Sequence, residues 1–489
     1  MTDPVYELYH SHAYPAMSHP ATDPSVMAVS AALAGLEVRP PPGSSILEIG
    51  CASGHNLLPL AARWPNCRFT GIDFSKSAIE DARETARLAE MPHVEFIEAD
   101  LRDFVPGDGC GYDYIFAHGI YSWVPEDVQR ALLDFCTKHL SSQGVALISY
   151  NTLPGWSLRK SIVDVTRNLL VRSGKQSHGE ILALLAMATG SHTPYARHLN
   201  TVLHEMFGKG DDILPFDDFA PINDPCTFVD FVGKASQSGM RYLGESKLAE
   251  NFPLDLATYA LEVLHSLAAE PLLSQQMIDV LTNRKFRRSI LCRSDAPVRD
   301  RIPATTVLNF SIRCPHLFTR SANGAVLTCQ SGNQLASFDK PLAIALYNIL
   351  SETKTQSVPI HEVIGQMADQ LKAPVDVHSF GRMILDSARK NLVSLRYEPL
   401  LFDTVPPAYP NLGKLRLLGA QKGQPLVDQH HAPCLLNDAR KQQIAVAMDG
   451  TNRIDALTTL ANTIAPDFDF NRWLNHLAAR GMFSSKENR

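Results

Sequence analysis

A short acidic and glycine-containing loop is the part of this 489-residue chain whose residue types point most directly to chemistry. The stretch Glu48-Ile49-Gly50-Cys51-Ala52-Ser53-Gly54 follows a strand-like run and precedes a helix with apolar periodicity. Glycine is needed where a backbone turns tightly or approaches a ligand closely, and positions 50, 52 and 54 carry Gly, Ala and Gly. The spacing differs from the G-x-G-x-x-G of dinucleotide-binding enzymes. The loop therefore predicts a ligand cradle of another kind.

Two aspartates follow the next two strand-like runs. Asp73 ends CRFTGID about 20 residues after the loop, where a carboxylate can accept hydrogen bonds from both hydroxyls of a ribose. Alone it would be a turn residue at a strand end, but its joint spacing with Gly50 and Gly54 favours the ribose role. Asp100 ends VEFIEAD, and an isolated aspartate in such a loop would be a solvated cap.

Two later segments place aromatic and polar residues at strand ends. One begins at His118 and reads HGIYSWVP, and the other begins at Ser149 and reads SYNTLPGW. They contain Trp123 and Trp156, which suit either an aromatic wall for a cationic group or core anchors for neighbouring helices. Asn151 is a polar residue at the carboxyl end of a strand, which favours contact with a ligand.

The elements that must position these residues are alternating strands and helices, typical of a parallel sheet covered by helices. Five strands are predicted, in SILEI, CRFTGID, VEFIEAD, YDYIFAHG and GVALISYN, and Ser77 with Glu80 predicts a capping box after the second. Helices follow, and MRYLGES and FRRSILCR (286–293) then predict the last two strands of the same sheet. We therefore predict a doubly wound, Rossmann-like α/β fold, in which ligands bind at the carboxyl ends of the strands.

Four regions are predicted along the chain, because single hydrophobic cores stop growing at about 250 to 300 residues. They are an N-terminal cap or lid over 1–43, a ligand-binding core over 44–154, a helical region completing the sheet over 155–298, and a C-terminal α+β domain over 299–489. In the cap, Tyr6, Tyr9 and Tyr14 either fold over a ligand or pack under the inserted helices. The last region contains helix, strand, helix, helix and strand patterns in winged-helix order. Because its third helix has few basic residues, a protein–protein role is favoured.

The composition narrows the function classes further. A formal charge of -6 gives no global attraction for nucleic acid or anionic membrane, and no apolar stretch is long enough to span a bilayer. The nine cysteines are scattered without a CxxC pair, so neither disulfides nor a zinc site is predicted. His430 and His431 lack a recurring acidic partner at ligand spacing, so we predict no metal. These features together predict a cytoplasmic protein that neither inserts into membranes nor binds nucleic acid.

The motifs also carry a family resemblance. The loop at 48–54 resembles the acidic-x-G-x-G-x-G loop of class I methyltransferases, in which the acidic residue lies near the amino group of S-adenosylmethionine. HGIYSWVP, SYNTLPGW and LTNRKFRRSILCR are similar to signatures of bacterial methyltransferases that carry a methyltransferase regulatory domain. This family includes the rickettsial outer-membrane-protein lysine methyltransferases. The resemblance extends from YPAMSHPATDP to LVDQHHAPCLLNDARKQQIAVAMDGTNRIDAL, and it implies a regulatory and dimerisation region over 155–298 and a homodimer.

The resemblance implies an S-adenosylmethionine site in the core over 44–154. Asp100 lies where family members contact the adenine amino group, and Leu101 lies beside the ring. The cofactor-binding residues predicted in this way are Glu48, Gly50, Cys51, Ala52, Gly54, Asp73, Phe74, Asp100, Leu101 and His118.

The predicted activity is methyl transfer to lysine side chains of a protein, such as a surface or outer-membrane protein, by in-line displacement. Tyr121 and Asn151 are the predicted pair that orients the amine, and His118 is the predicted proton acceptor. Each has a structural alternative: Tyr121 packs, Asn151 caps a turn or binds the cofactor, and His118 is an interior histidine. The alternative functions are methylation of a small molecule or nucleic acid, and a non-catalytic regulatory role. An NAD-linked oxidoreductase is disfavoured by the loop spacing.

Overall fold

The computed structural model of the chain contains a seven-stranded mixed sheet with helices on both faces. The structure describes residues 8, 14–107, 111–173, 177–189, 193–208, 213–252, 256, 258–267, 269–316, 318–320, 326–331, 334–353 and 355–484. The strands of the main sheet are β1 (Ser45–Ile49), β2 (Arg68–Asp73), β3 (Val94–Glu98), β4 (Tyr112–Ala117), β5 (Leu140–Asn151), β6 (Met240–Glu245) and β7 (Phe286–Arg293). Their order across the sheet is β3-β2-β1-β4-β5-β7-β6.

The strand order reverses between β1 and β4. Strands β1 to β5 are parallel, whereas β7 pairs antiparallel with both β5 and β6. Strands β1 and β4 are buried almost throughout and rich in apolar residues, as expected for parallel strands covered on both faces. Ligands of doubly wound folds bind outside the carboxyl ends of the strands at such a reversal. The predicted Rossmann-like fold class is confirmed.

Hydrophobic cores cover the two faces of the sheet. One contains side chains from α1 (Pro24–Leu33), α2 (Leu57–Arg63) and α3 (Lys76–Leu88), and the other contains side chains from α4 (Glu126–His139). The capping box predicted at Ser77 is wrong by two residues. The N-cap of α3 is Ser75, whose hydroxyl accepts from the backbone N–H of Ala78, because α3 starts one residue before Ser77.

Helices are inserted between β5 and β6 and between β6 and β7. They are α5 (Ser157–Ser173), α6 (His178–Ala188), α7 (Pro194–Phe207), α8 (Phe228–Gln237), α9 (Thr258–Ser266) and α10 (Pro271–Thr282). Arg287 of β7 is fully buried and forms ion pairs with Glu245 of β6 at 2.6 Å and Asp279 of α10 at 2.7 Å. Removing either partner of a buried pair leaves an uncompensated charge, so this triad fixes β7 against β6 and α10.

The C-terminal region adds helices and short strands. The helices are α11 (Pro341–Glu352), α12 (Ile360–Leu371), α13 (Val377–Arg389), α14 (Lys414–Gln421), α15 (Ala439–Val446), α16 (Ile454–Ile464) and α17 (Phe470–Ala479). The strands are β8 (Ser311–Arg313), β9 (Phe318–Arg320), β10 (Leu327–Ser331), β11 (Gln334–Phe338), β12 (Val358–Pro359), β13 (Ser394–Arg396), β14 (Leu426–Val427) and β15 (Pro433–Cys434).

The element order predicted for the start of the C-terminal region is present. Helix α11, strand β12, helices α12 and α13 and strand β13 follow one another, and β8 pairs with both β12 and β13. The winged-helix interpretation and the four region boundaries stay predictions. Within the described part of the chain, no helix has both the length and the hydrophobicity needed to cross a bilayer.

Candidate functional site

The loop between β1 and α2 forms one wall of the candidate site. The backbone N–H groups of Gly50 and Cys51 both donate to the carbonyl of Ile72 in β2, at 2.8 and 3.0 Å. Gly50 has a φ of +72°, and a Cβ atom there would lie 2.2 Å from Cδ1 of Ile120. Gly54 has a φ of +78°, and its missing Cβ leaves space for the ring of Phe96. The glycines are therefore required by the tight approach of the loop to its neighbours.

Ala52 occupies the middle position of the loop pattern and has a φ of +45°. This is the left-handed region, which costs a residue with a Cβ roughly 1–2 kcal/mol. The Ala52 N–H donates to Oδ2 of Asp73 at 2.9 Å, and Oδ1 of Asp73 accepts from the N–H of Ser75 at 2.8 Å. Each carboxylate oxygen keeps a further lone pair for a ligand. Burial raises the pKa of Asp73.

Glu48 lies at the bottom of the same wall with one carboxylate oxygen unpaired. Its Oε1 accepts from Nδ2 of Asn56 at 2.7 Å, whereas Oε2 is buried and has no hydrogen-bond partner among the described residues. Burial, joined by repulsion from Asp73, raises the pKa of Glu48 to about 8, although the Asn56 hydrogen bond opposes the shift. Such an oxygen is suited to accept from a cationic donor on a ligand.

A cavity of about 610 Å³ opens at the carboxyl ends of β1 to β4, within the size range of small-molecule and cofactor sites. Most of the predicted cofactor-binding residues line it: Glu48, Gly50, Cys51, Ala52, Asp73, Phe74, Asp100, Leu101 and His118. Gly54 does not line it and instead packs against β3. The structure thus brings together nine of the ten predicted positions.

Asp100 reaches the mouth of this cavity already paired with an arginine. Its two carboxylate oxygens accept from Nε and Nη2 of Arg102, at 3.0 and 2.6 Å, and this pairing lowers the pKa of Asp100. Arg102 also bonds Asp127 at 2.9 Å. A carboxylate held in this way stays ionised and can still accept from an amino group.

His118 forms part of an aromatic group at the other side of the cavity. Its ring lies 3.9 Å from that of His19 and 5.6 Å from that of Phe286 in β7. Burial, joined by the charge of Arg288, lowers the pKa of His19 to about 4. Burial, joined by His19 and Arg288, lowers the pKa of His118 well below its usual range. Both imidazoles are therefore neutral near pH 7.

Tyr121 and Asn151 do not line the cavity. The ring of Tyr121 packs against Phe231 at 5.1 Å, and its buried hydroxyl has no hydrogen-bond partner among the described residues. The Nδ2 of Asn151 donates to Oδ1 of Asn223 at 3.2 Å, and its N–H donates to the hydroxyl of Ser122 at 2.9 Å. Their predicted roles in the reaction stay predictions, and these contacts place both residues one layer behind the cavity wall.

The two tryptophans divide between the alternatives left open by the sequence. Trp123 lines the cavity, whereas Trp156 is buried outside it and packs edge-on against Trp123 at 6.0 Å. The guanidinium of Arg159 lies 5.1 Å from the Trp156 ring. Trp123 thus offers an aromatic surface to a ligand, and Trp156 is a core anchor.

The N-terminal segment contributes Tyr14, which the sequence predicts as part of a lid, and further residues that the sequence did not assign to the site. Tyr14, Pro15, Met17 and His19 line the cavity, as a lid would. Tyr6 and Tyr9, which were part of the same lid prediction, lie outside the described residues. The structure adds Asn56 and His19 to the site, and no local motif marks either of them.

The residues present fit S-adenosylmethionine. The unpaired Oε2 of Glu48 could accept from its amino group, and the carboxylate of Asp73 could accept from its ribose hydroxyls. Gly50 and Ala52 bring the backbone close to the same space. The sheet, its strand order and this site define a class I methyltransferase.

Comparison with known proteins agrees with this class. The family described as "Methyltransferase domain" matches residues 46–144, and the family described as "Predicted methyltransferase regulatory domain" matches residues 210–293. An uncharacterised protein from Rickettsia prowazekii is 30% identical over 241 residues, which cover 48% of this chain and 96% of that protein. The chain belongs to this family of methyltransferases with a regulatory domain. Its methyltransferase domain is of class I and depends on S-adenosylmethionine.

A second uncharacterised protein from the same organism is 30% identical over 313 residues, which cover 62% of this chain. The chain spans only 56% of that relative's length. The solved structure of PKMT2 from Rickettsia typhi in complex with AdoHcy has a TM-score of 0.81, with 22% identity, and covers 95% of this chain and 97% of that one. At this identity the likeness shows a shared fold along nearly the whole chain.

Proposed function

We propose that this protein transfers the methyl group of S-adenosylmethionine to lysine side chains of a protein substrate. The main observation in support of S-adenosylmethionine as the cofactor is the buried, unpaired Oε2 of Glu48, which lies in a cavity at the reversal of strand order. The choice of lysine rests on the family resemblance of the sequence, and the fold shared with PKMT2 supports it. S-adenosylmethionine supplies a methyl group on a sulfonium, which an amine can displace in line.

The described residues divide the work of binding. Glu48 would hold the amino group of the cofactor, Asp73 its ribose hydroxyls, and Asp100 with Leu101 its adenine. Five of the remaining predicted cofactor residues, Gly50, Cys51, Ala52, Gly54 and Phe74, shape the loop and the start of the next turn, and the sixth, His118, lines the opposite side of the cavity. Trp123 offers an aromatic face where the acceptor enters.

A lysine must react as a neutral amine, and the site favours that form. Low solvation and the positive charge of Arg288 keep His118 and His19 neutral. The same two influences lower the pKa of an ammonium placed beside these rings. The ammonium proton therefore leaves to solvent before the amine is enclosed. After the amine displaces the methyl group from the sulfonium, the methylated ammonium carries one extra proton, and neutral His118 would accept it. Tyr121 and Asn151 would orient the amine from behind the cavity wall.

The cofactor assignment is tested by calorimetric titration with S-adenosylmethionine and, separately, NAD. We expect saturable binding of S-adenosylmethionine that Asp73→Ala weakens by about tenfold or more, since hydrogen bonds to a charged group contribute about 1.5–3 kcal/mol. Asp103→Ala, an exposed aspartate that does not line the cavity, is the matched control. Binding of NAD instead would overturn the cofactor assignment.

The acceptor is tested by transfer of labelled methyl groups to fractionated cell material. We expect label in protein, recovered as methyllysine after hydrolysis, and less label with the Asp73→Ala variant when S-adenosylmethionine is below saturation. Label in a low-molecular-weight fraction or in nucleic acid would replace the lysine proposal by another acceptor. Tight cofactor binding without transfer to any fraction would indicate a regulatory protein.

A further inference from the structure

A hairpin from the C-terminal region reaches into the methyltransferase core. Strands β14 and β15 pair antiparallel, and His431 lies in the turn that joins them, fully buried, with a φ of +60°. Asp428 fixes this turn, because its Oδ1 accepts from the N–H groups of His430 and Ala432 at 2.9 and 2.8 Å. Its Oδ2 pairs with Arg480 at 2.8 Å. The left-handed backbone of His431 is thus held in place by several independent contacts.

The His431 ring contacts Asn56, the residue that holds Glu48. Its Nε2 lies 2.8 Å from Oδ1 of Asn56. The same Oδ1 accepts from the backbone N–H of His19 at 2.9 Å, and a backbone N–H can only donate. This fixes the orientation of the Asn56 amide, so its Nδ2 faces Oε1 of Glu48 at 2.7 Å. His431 must then donate from Nε2, which agrees with its Nδ1 having no partner among the described residues.

The charges around His431 keep it in this neutral form. Burial is the main influence, Arg63, Arg396 and His19 act in the same direction, and Asp23 opposes them. The pKa of His431 falls to about 3, so its protonation does not change over the physiological range. His431 is therefore a fixed donor to Asn56.

We propose that His431 is a positioning residue for the cofactor: it holds the Asn56 amide so that Glu48 presents its free oxygen to the amino group of S-adenosylmethionine. The inference rests on the proposed function. It gives the C-terminal region a direct part in cofactor binding, through a chain of two hydrogen bonds that joins residues far apart in sequence.

The test compares two ligands that differ in the end that Glu48 would hold. S-adenosylhomocysteine contains the amino-acid end, whereas 5′-methylthioadenosine lacks it. We expect His431→Leu to weaken the binding of S-adenosylhomocysteine by about tenfold, the value of one charge-linked hydrogen bond. The affinity for 5′-methylthioadenosine should stay unchanged. His431→Gln should restore most of the lost affinity, because its amide nitrogen can reach the position of Nε2.

Two further variants separate positioning from folding. His431→Asn tolerates the left-handed backbone but is too short to reach Asn56, so it should bind like the leucine variant even if that variant folds poorly. His430→Leu changes the neighbouring residue, whose ring contacts the carbonyl of Thr355, and should alter thermal stability without altering the ratio of the two affinities.

The outcomes distinguish this inference from the proposed function. If the wild-type protein binds neither ligand, the proposed function fails. If it binds both, and His431→Leu and His431→Asn weaken them equally or not at all, the positioning role is overturned while the cofactor assignment stands.

Discussion

The two sides of the cavity differ in how their polar groups are used. On the loop side, Glu48 and Asp73 point carboxylate oxygens into the cavity with hydrogen-bonding capacity left over. On the other side, the side-chain amide of Asn151 donates a hydrogen bond to Asn223, and the ring of Tyr121 packs against Phe231. The loop side keeps free hydrogen-bonding capacity before any ligand arrives, whereas under the proposed function the acceptor depends on residues behind the opposite wall. Variants on the two sides should therefore affect binding and turnover separately.

The largest expected effect is on the loop side. Glu48→Gln keeps the shape of the side chain but removes the charge, and should weaken S-adenosylmethionine by roughly 10- to 100-fold, since the lost hydrogen bond is charge-assisted. The measurement is calorimetric titration. Glu95→Gln, an exposed glutamate in β3, is the control. Equal affinity of wild type and Glu48→Gln for S-adenosylmethionine would show that Glu48 does not bind the amino group of the cofactor.

The pH dependence of ligand binding and of stability also tests the loop side. Because the pKa of Glu48 is raised to about 8 in the ligand-free protein, affinity for S-adenosylhomocysteine should fall as the pH is lowered below that value. Stability should behave oppositely. The stabilisation from protonated Glu48 is complete below its ordinary pKa of 4.5 and is lost as the pH rises through about 8. Calorimetric titrations over this pH range measure the change in affinity, and thermal melts measure the change in stability. Glu48→Gln is the reference, because neither quantity should depend on pH in this way when the carboxyl group is absent.

A smaller effect is expected on the acceptor side. Tyr121→Phe keeps the ring packing and removes a hydroxyl without a partner among the described residues, so cofactor affinity should not change. If the hydroxyl orients the amine, kcat should fall by about tenfold, the value of one hydrogen bond of about 1.4 kcal/mol. Tyr150→Phe, which loses a hydroxyl contact to Ser289 in the same cluster, is the control. Unchanged turnover in Tyr121→Phe would show that Tyr121 contributes packing and does not orient the amine.

The smallest effect concerns the strained position of the loop. Ala52→Gly relieves a φ of +45° and should raise the free energy of unfolding by about 1 kcal/mol or less, because glycine's greater freedom in the unfolded chain offsets part of the gain. Lys372→Gly, with a φ of +54° far from the cavity, is the reference for strain relief alone. Thermal melts measure both, and a loss of stability in Ala52→Gly would show that the methyl group packs favourably.

Local sequence patterns predicted most strands of the main sheet and most residues on the loop side of the site. Strand β1 spans SILEI as predicted, and β7 spans FRRSILCR. The joint spacing of Gly50, Gly54 and Asp73 predicts shared ligand contact because β1 and β2 are adjacent parallel strands whose carboxyl ends meet. These features depend on residues close in sequence, where periodicity and turn chemistry are informative.

The rest of the site depends on contacts between distant segments. Asn56 receives hydrogen bonds from His19 and from His431, and neither pairing leaves a periodic signal. His431 was considered as a metal ligand and set aside, but its real partner lies in another region of the chain. Likewise, whether Tyr121 faces the cavity is decided by the packing of Phe231 from α8. Such orientations are set by tertiary packing, which one sequence does not display.

The return of β7 to the sheet affects how this protein is made on the ribosome. Strand β5 lies beside β7 in the finished sheet, but the inserted helices separate them in sequence. At about 5–20 residues per second of synthesis, the growing chain carries an unpaired β5 edge for roughly 7 to 28 seconds. An unprotected edge strand is a template for aggregation. A fragment ending at residue 151 would keep that edge permanently, so expression should include the chain through β7.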